Sequence, residues 1–396
     1  MLPLYTQADI QYLDGAKVLK IVDIPEARSG RFLPEKSLVW LDQPVTDLAL
    51  ENFAGAVLAT PEITPPKFGI TIRNPKTKGA IAPGDVIRVQ EGSSRISVFY
   101  RRGSNSNTLM ATERCNSFCI MCSQPPREVE DSWFVQQMLD TIPLIDPDEN
   151  MLGLSGGEPT LLGDDLAVIL YQARKHLPDT TLHILSNGRR FSDPTFTRMI
   201  AAVKHPRLQW GIPLYSDDPG QHDYIVQSRR AWHETIEGLY NLARIDASVE
   251  IRVVVQKSNV DRLPELARFI FHNLSFVDHI AFMALEPMGF ARTNRDSVWV
   301  DPIDCRDQLY ETVSYLADRG MNPSLYNFPI CTIEPALHDF CRQSISDWKN
   351  VYLPECHDCA MKSNCCGFFR TIDPGWTSRG IQPITQPNHL AFQGAS

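Results

Sequence analysis

The sequence predicts an α/β chain in three parts. A strand-rich N-terminal module precedes a central parallel sheet, and a cysteine-rich region follows it. Three observations carry this reading. Short runs near the N-terminus alternate apolar and polar residues, the mark of half-buried strands. From about residue 107 to 290, short apolar runs alternate with segments whose apolar residues recur at helical spacing. Six of the 10 cysteines then crowd between Cys331 and Cys366. The expected divisions are 1–103, 104–300 and 301–396.

In the first part, the runs Ala16–Asp23, Ser37–Leu41 and Asp85–Gln90 read as strands. Thr64-Pro-Pro66, Asn74-Pro75 and Ala82-Pro-Gly-Asp85 separate them as turns, so a small β-barrel or sandwich is expected. Its role is not legible; packing and peptide docking both fit. Gly103–Thr108 reads as a linker. In the second part, strands are expected at Thr108–Thr112, Met151–Leu154, Leu182–Leu185, Leu208–Leu214, Val249–Val255 and Val277–Leu285. Apolar residues at Trp232, Ile236, Leu239 and Ala243 mark one helix between strands. Leu263, Leu266, Ala267, Ile270 and Leu274 mark another. Strand–helix alternation implies parallel strands with right-handed crossovers.

Bulk properties narrow the class. At 396 residues the chain exceeds one ordinary core, and 43% hydrophobic with 21% charged residues describes a globular protein. A formal net charge of −9 argues against a generally basic nucleic-acid surface. Met1 to Gly15 lacks a cationic start and a continuous apolar core, so no secretory signal is expected. No run approaches the length of a membrane span. Cysteines in short spacings without export read as metal ligands in a reducing cytoplasm, not as disulfides.

The chemistry concentrates in Arg114-Cys-Asn-Ser-Phe-Cys-Ile-Met-Cys122. Its cysteines, Cys115, Cys119 and Cys122, follow the first central strand. Thiolates suit iron–sulfur clusters or zinc, and a four-iron cluster needs one ligand per iron. Three thiolates leave one metal position open, which marks a catalytic site. A zinc knuckle would need a second C-x2-C or C/H half, and none lies nearby. Met121 reads as packing around the site. On this run the sequence resembles the radical S-adenosylmethionine (SAM) superfamily, in which the open iron of a [4Fe-4S] cluster binds the amine and carboxylate of SAM. The resemblance implies a partial (β/α)6 barrel, which the six strand–helix units match.

Further motifs fall at the carboxyl ends of successive strands, where α/β barrels place their chemistry. Ser155-Gly-Gly-Glu-Pro159 resembles the family's second signature. Gly156 and Gly157 would let backbone approach a ligand, with Glu158 beside them facing the SAM ammonium. Such a string is otherwise a turn. Ser186 and Asn187 end the third strand, where a ribose hydroxyl or SAM carboxylate would be bound, although Ser-Asn-Gly is also an ordinary turn. Ser216 stands where family members place a SAM contact. Arg252 reads as an ion-pair partner or a carboxylate clamp. His222-Asp223 reads as an acid/base pair or a solvated turn.

At the C-terminus, Cys356, Cys359 and Cys365 need one more ligand, and Cys331 is placed to supply it. Four thiolates hold zinc or a cluster equally. The spacing resembles the SPASM or twitch auxiliary-cluster domains of radical SAM peptide-modifying enzymes, which implies a second [4Fe-4S] cluster. Cys341 and Cys366 are then bystanders or alternates, and Cys305 a small buried hydrophobe. Ser344-Ile-Ser-Asp-Trp-Lys349, Pro354-Glu-Cys-His-Asp-Cys359 and Cys366-Gly-Phe-Phe369 resemble the C component of His-Xaa-Ser system radical SAM maturases. That family's closing motif is Cys-Gly-Gly-Phe-Phe, so Cys366 replaces a glycine and Cys365 is favoured as ligand. The resemblance implies an enzyme that reductively cleaves SAM to a 5′-deoxyadenosyl radical. Hydrogen abstraction would then modify a ribosomally made peptide rich in His-Xaa-Ser. Partner maturation proteins and an electron donor such as flavodoxin or ferredoxin are also implied. Radical SAM chemistry on RNA or a nucleotide is one alternative. A non-catalytic electron-transfer or peptide-binding partner is another.

Overall fold

The computed structural model describes residues 4–45, 49–60, 62–64, 69–343 and 350–385. The expected turn at Pro65-Pro66 and the 344–349 motif lie outside them.

The N-terminal module is one mixed sheet of eight strands: β1 (Tyr5–Gln7), β2 (Asp9–Gln11), β3 (Ala16–Val22), β4 (Ser37–Leu41), β5 (Gly55–Leu58), β6 (Ile70–Arg73), β7 (Val86–Gln90) and β8 (Arg95–Tyr100). Their order is β1-β8-β7-β3-β4-β5-β6-β2. The sheet's two edges, β1 and β2, are consecutive in the chain and only Ala8 separates them. The sheet must therefore roll until its edges adjoin. This is the expected small barrel, closed by one bent N-terminal ribbon. Ala8, Leu19, Ile21, Leu38, Val57, Ile72, Ile87 and Ile96 fill its inside. A short helix, α1 (Ile24–Ser29), begins in a capping box between Asp23 and Glu26.

The second sheet is wholly parallel and runs in sequence order. Its strands are β9 (Thr108–Met110), β10 (Met151–Ser155), β11 (Thr181–Leu185), β12 (Leu208–Pro213), β13 (Ser248–Val255), β14 (His279–Ala284), β15 (Pro323–Tyr326) and β16 (Cys341–Arg342). The first six stand where the hydropathy pattern put them. The sheet then continues past residue 300 through β15 and β16, two strands too short to show a period. Among the described residues seven helices accompany the sheet: α2 (Trp133–Thr141), α3 (Asp164–His176), α4 (Pro194–Val203), α5 (Pro219–Val226), α6 (Ala231–Ala243), α7 (Leu263–Asn273) and, after two single-turn helices α8 (Phe290–Thr293) and α9 (Arg295–Val298), α10 (Arg306–Ala317). They bury Leu166, Ile200, Leu239, Leu266 and Leu309 against the strands. No helix of the described residues is long and apolar enough to cross a membrane.

The two modules share a core. Val18, Val86 and Tyr100 of the barrel pack with Met138, Ile142 and Leu144. Beside them Lys20, fully buried, donates to Asp146 (3.1 Å), which also accepts from the Tyr100 hydroxyl (3.1 Å) and from Arg102 Nε (2.7 Å). The expected linker at 103–108 is tied down rather than loose. Asn107 Oδ1 accepts from Arg101 N (2.9 Å) and its Nδ2 donates to Arg101 O (3.0 Å).

Candidate functional site

The loops at the carboxyl ends of the parallel strands form one rim, and the cysteine loop lies on it between β9 and α2. Its entrance is pinned by Asp131, which accepts from Thr112 Oγ1 (2.7 Å), Glu113 N (2.6 Å) and Arg114 Nε (3.1 Å). The turn after β10 presses against the same stretch. Gly157 N donates to Thr112 O (2.7 Å) and Glu158 N to Arg114 O (2.8 Å). A Cβ on Gly156 would fall on the Thr112 carbonyl, and one on Gly157 on the Arg114 carbonyl. These glycines permit one backbone to lie on another.

Glu158 is fully buried. Its Oε1 accepts from Thr160 N (3.0 Å), Thr160 Oγ1 (2.6 Å) and Ser186 Oγ (2.7 Å), and its Oε2 from Asn187 N (2.6 Å). Asn187 Nδ2 then donates to Asn116 Oδ1 (2.6 Å) inside the cysteine loop. The structure thus joins Gly156, Gly157, Glu158, Ser186 and Asn187 to the loop of Cys115, Cys119 and Cys122 in one network. Ser216 stands apart. It is fully buried and its hydroxyl accepts from Asp218 N (3.0 Å), ahead of α5.

Residues the sequence reading passed over complete the loop's support. Arg189 Nη1 donates to Asn116 O (2.6 Å), Ser117 Oγ (3.2 Å) and Ser228 Oγ (2.9 Å), while its Nε meets Glu234 (2.7 Å). Phe290 N donates to Cys122 O (2.8 Å) and Asn294 Nδ2 to Ile120 O (2.8 Å). Gly289, at φ 56°, sits so close that a Cβ would fall on Cys122 O. Met121 is buried with Tyr215, Ile225, Val226 and Trp376. Burial pushes the Cys115 thiol up to about 11 and raises Cys119 and Cys122 as well. Metal binding here must therefore displace protons. His222 is buried, and burial lowers it to about 4, so it stays neutral, its Nδ1 accepting from Tyr215 N (3.2 Å). The Asp223 carboxylate accepts from Arg230 N (2.6 Å) and Trp232 N (2.8 Å). The pair is structural.

Inside the sheet's curve lies an open cavity with about 1530 Å³ of empty space. Ser123, Gln124 and Ser155 line its rim, and His183, Gln209, Glu250, Arg252, Met283 and Tyr326 line its wall. Glu250 meets Arg252 Nη1, His279 Nδ1 (2.8 Å) and His183 Nε2 (3.4 Å). Burial raises its pKa, but the two histidines and Arg252 outweigh that and hold it far below the carboxylate range. Arg252 is therefore ion-paired within the cavity wall. Polar residues at alternate positions of otherwise apolar strands were the available signal for this interior.

A second hollow, with about 360 Å³ of empty space, is lined by Cys331, Cys356, Cys359 and Cys365 together. Backbone N–H groups of Ile330 and Gly367 donate to Cys365 Sγ and that of Ile384 to Cys359 Sγ, each at 3.4 Å. A hydrogen bond from the Cys366 thiol lowers Cys365 to about 6. Cys366 itself is buried, with its thiol 3.3 Å from Gly367 O. Cys341 donates toward Leu337 O (3.7 Å), and Cys305, fully buried, precedes α10. Among the described residues no three His, Cys, Asp or Glu side chains converge at metal-ligand distance. Both cysteine sets are gathered but not drawn together, and soft thiol donors in these numbers fit iron–sulfur groups.

Residues 109–270 match the model of the radical SAM superfamily, a family that implies a [4Fe-4S] cluster and SAM. The match runs from β9 into α7 and contains the cysteine loop, the 156–159 turn and the 186–188 turn. No curated protein matches the chain. Among solved structures, Streptococcus suis SuiB bound to S-adenosylmethionine is similar at 16% identity and TM-score 0.44, over 58% of this chain and 51% of that one. SuiB bound to its precursor peptide SuiA gives 15% and 0.42, over 55% and 48%. The anSMEcpe structure with bound AdoMet and Cp18Cys peptide gives 15% and 0.41, over 56% and 62%. The chain thus spans about half the length of SuiB.

Proposed function

We propose that this chain is a radical SAM enzyme that modifies a ribosomally made peptide by hydrogen abstraction. The observation that carries it is the network tying the three-cysteine loop to the 156–158 and 186–187 turns above an open cavity. In this reading Cys115, Cys119 and Cys122 hold a [4Fe-4S] cluster, and Gly156, Gly157, Glu158, Ser186 and Asn187 surround SAM, with Ser216, outside their network, reaching it from the loop after β12. A cluster and SAM bound there supply a 5′-deoxyadenosyl radical. This chain's own residues do the rest: Glu158 and Arg189 hold the loops in register, and the cavity gives a substrate side chain room beside them.

We assign a second [4Fe-4S] cluster to Cys331, Cys356, Cys359 and Cys365. Tetrahedral zinc at about 2.3 Å from each sulfur would need thiolates about 3.8 Å apart. What supports a cluster is that four cysteines line one hollow and backbone N–H groups donate to Cys359 and Cys365; the metal analysis below separates it from zinc. The domain division at 103 and 300 fits this assignment if β15 and β16 serve both the sheet and the second site. The substrate we favour is a His-Xaa-Ser-rich peptide, processed with partner maturation proteins.

The test is anaerobic reconstitution followed by assay for 5′-deoxyadenosine, with mass spectrometry of a co-expressed His/Ser-rich peptide. No 5′-deoxyadenosine would refute the enzyme, and release without a mass change would refute the peptide. The Cys115, Cys119 and Cys122 triple alanine variant should lose about half its iron. Stoichiometric zinc remaining in that variant would refute the second cluster.

A further inference from the structure

We propose that the inner wall of the cavity selects the peptide side chain it receives, admitting a neutral one that accepts hydrogen bonds from Arg252 and Tyr326. The proposal rests on the reading of this chain as a peptide-modifying enzyme. Arg252 of β13 and Tyr326 of β15 flank one residue of the strand between them. Met283 of β14 is paired in register with Tyr326, and Arg252 Nη2 lies 3.1 Å from its sulfur. All three residues line the cavity, as does Gln209. The Tyr326 ring also stands 6.2 Å from that of His279, whose Nδ1 meets Glu250 (2.8 Å). Arg252 Nη1 meets Glu250 directly, so both residues border one buried carboxylate.

The unspent groups of this wall are donors. Glu250 takes up Arg252 Nη1, but Nη2 faces only a thioether, which is a weak acceptor. Among the described residues the Tyr326 hydroxyl and the Gln209 carboxamide have no hydrogen-bond partner, and neither is sealed from the cavity. Burial, with the Glu250 charge behind it, raises Tyr326 above its ordinary value of 10.0. Its hydroxyl therefore keeps a proton to donate.

Three classes of occupant are excluded by this chemistry. An apolar side chain would cover the donors and leave them unpaired. Lysine and arginine carry donors only, and would set a second positive charge against the Arg252 guanidinium. A carboxylate finds no free counter-charge, because Glu250 already occupies Arg252, His183 and His279. Glu286 adds another acid to the same lining. What remains is a neutral acceptor: a hydroxyl, a carboxamide or an imidazole.

The experiment first locates, by mass spectrometry of the co-expressed His/Ser-rich peptide, the residue that changes. That residue is then replaced by Asn, Leu, Asp or Lys. The affinity of each peptide for the reconstituted protein is measured by fluorescence anisotropy with SAM present. The wild type should hold the Asn form at least about tenfold more tightly than the other three. Tyr326→Phe and Arg252→Met should each shrink the Asn-over-Leu ratio by at least about threefold, with iron content and SAM affinity as the check on folding. Glu250→Gln, which frees Arg252, should turn the preference from Asn toward Asp, a change that a merely structural Arg252 would not produce. Equal wild-type affinity for the Asn and Leu forms overturns the proposal, as does a ratio that both donor variants leave unaltered. A wild type that holds the Asp form more tightly than the Asn form overturns it too. If no peptide changes mass while 5′-deoxyadenosine is still released, the peptide reading itself falls, and this assignment with it.

Discussion

Four donors converge on the Glu158 carboxylate, and no water reaches it. Glu158→Gln keeps the shape but turns an NH₂ toward donors that need acceptors. The expected cost is about 2 to 4 kcal/mol, read as a lower urea midpoint of the apoprotein, together with reduced iron loading. An unchanged midpoint would mean that the carboxylate does not hold the turns. At this scale the sequence was informative about ligands and silent about supports. A C-x3-C-x2-C run points to its chemistry by spacing alone, whereas the hydrogen bonds of Glu158, expected as a SAM contact, reach Ser186 and Asn187, 28 and 29 residues on. Arg189 was passed over for the same reason: its acceptors sit on two distant loops.

Among elements, the turns that touch the cysteine loop bear the tightest geometry. Gly157→Ala would drive a methyl into the Arg114 carbonyl, and Gly289→Ala one into the Cys122 carbonyl at a φ of 56°. Each should depress iron content after reconstitution, measured by iron assay and visible absorption, and not SAM affinity alone. A fully loaded Gly157→Ala protein with weakened SAM binding would mean that Gly157 serves SAM and not the packing of the cysteine loop. The central strands were legible because buried parallel strands read as short apolar runs. β15 and β16 were not, since four and two residues carry no period and the sheet, not the sequence, defines them. The second cysteine set was legible by spacing; the N–H groups aimed at its sulfurs were not.

For the whole molecule, the junction between barrel and parallel sheet turns on Asp146. Burial pushes its carboxyl up, but Arg102 and Lys20 outweigh that and hold it below its usual value of 3.8. Burial lowers Lys20 from 10.5 to about 8, so at neutral pH it remains charged and dependent on its partner. Asp146→Ala should cost about 3 to 5 kcal/mol at pH 7, because Lys20 is left buried and unpaired. Lys20→Met should cost far less, since Arg102 and Tyr100 still serve Asp146. A depressed acid pKa contributes stability above the unfolded value and loses it as pH falls. The gap between wild type and Asp146→Ala in urea unfolding should therefore close below pH 3.8. A gap constant with pH would exclude this linkage. Nothing in the sequence pairs Lys20 with a residue 126 positions away. Such contacts depend on how two sheets meet, which hydropathy does not encode.

The closure of the barrel at Ala8 has a bearing on the order in which the molecule can be made. The ribbon that seals both edges leaves the ribosome before the strands it joins, yet one half of it pairs with β8, ending at Tyr100. Until that residue has emerged, the β1 half of the ribbon has no edge to join, and the half-built sheet keeps open flanks. Slowing translation just after β8 should favour correct assembly, and deleting residues 1–11 should leave two raw edges at once. Size-exclusion chromatography would then show more self-association than the intact chain does, and a truncated chain that eluted as the intact one does would show that the ribbon is dispensable.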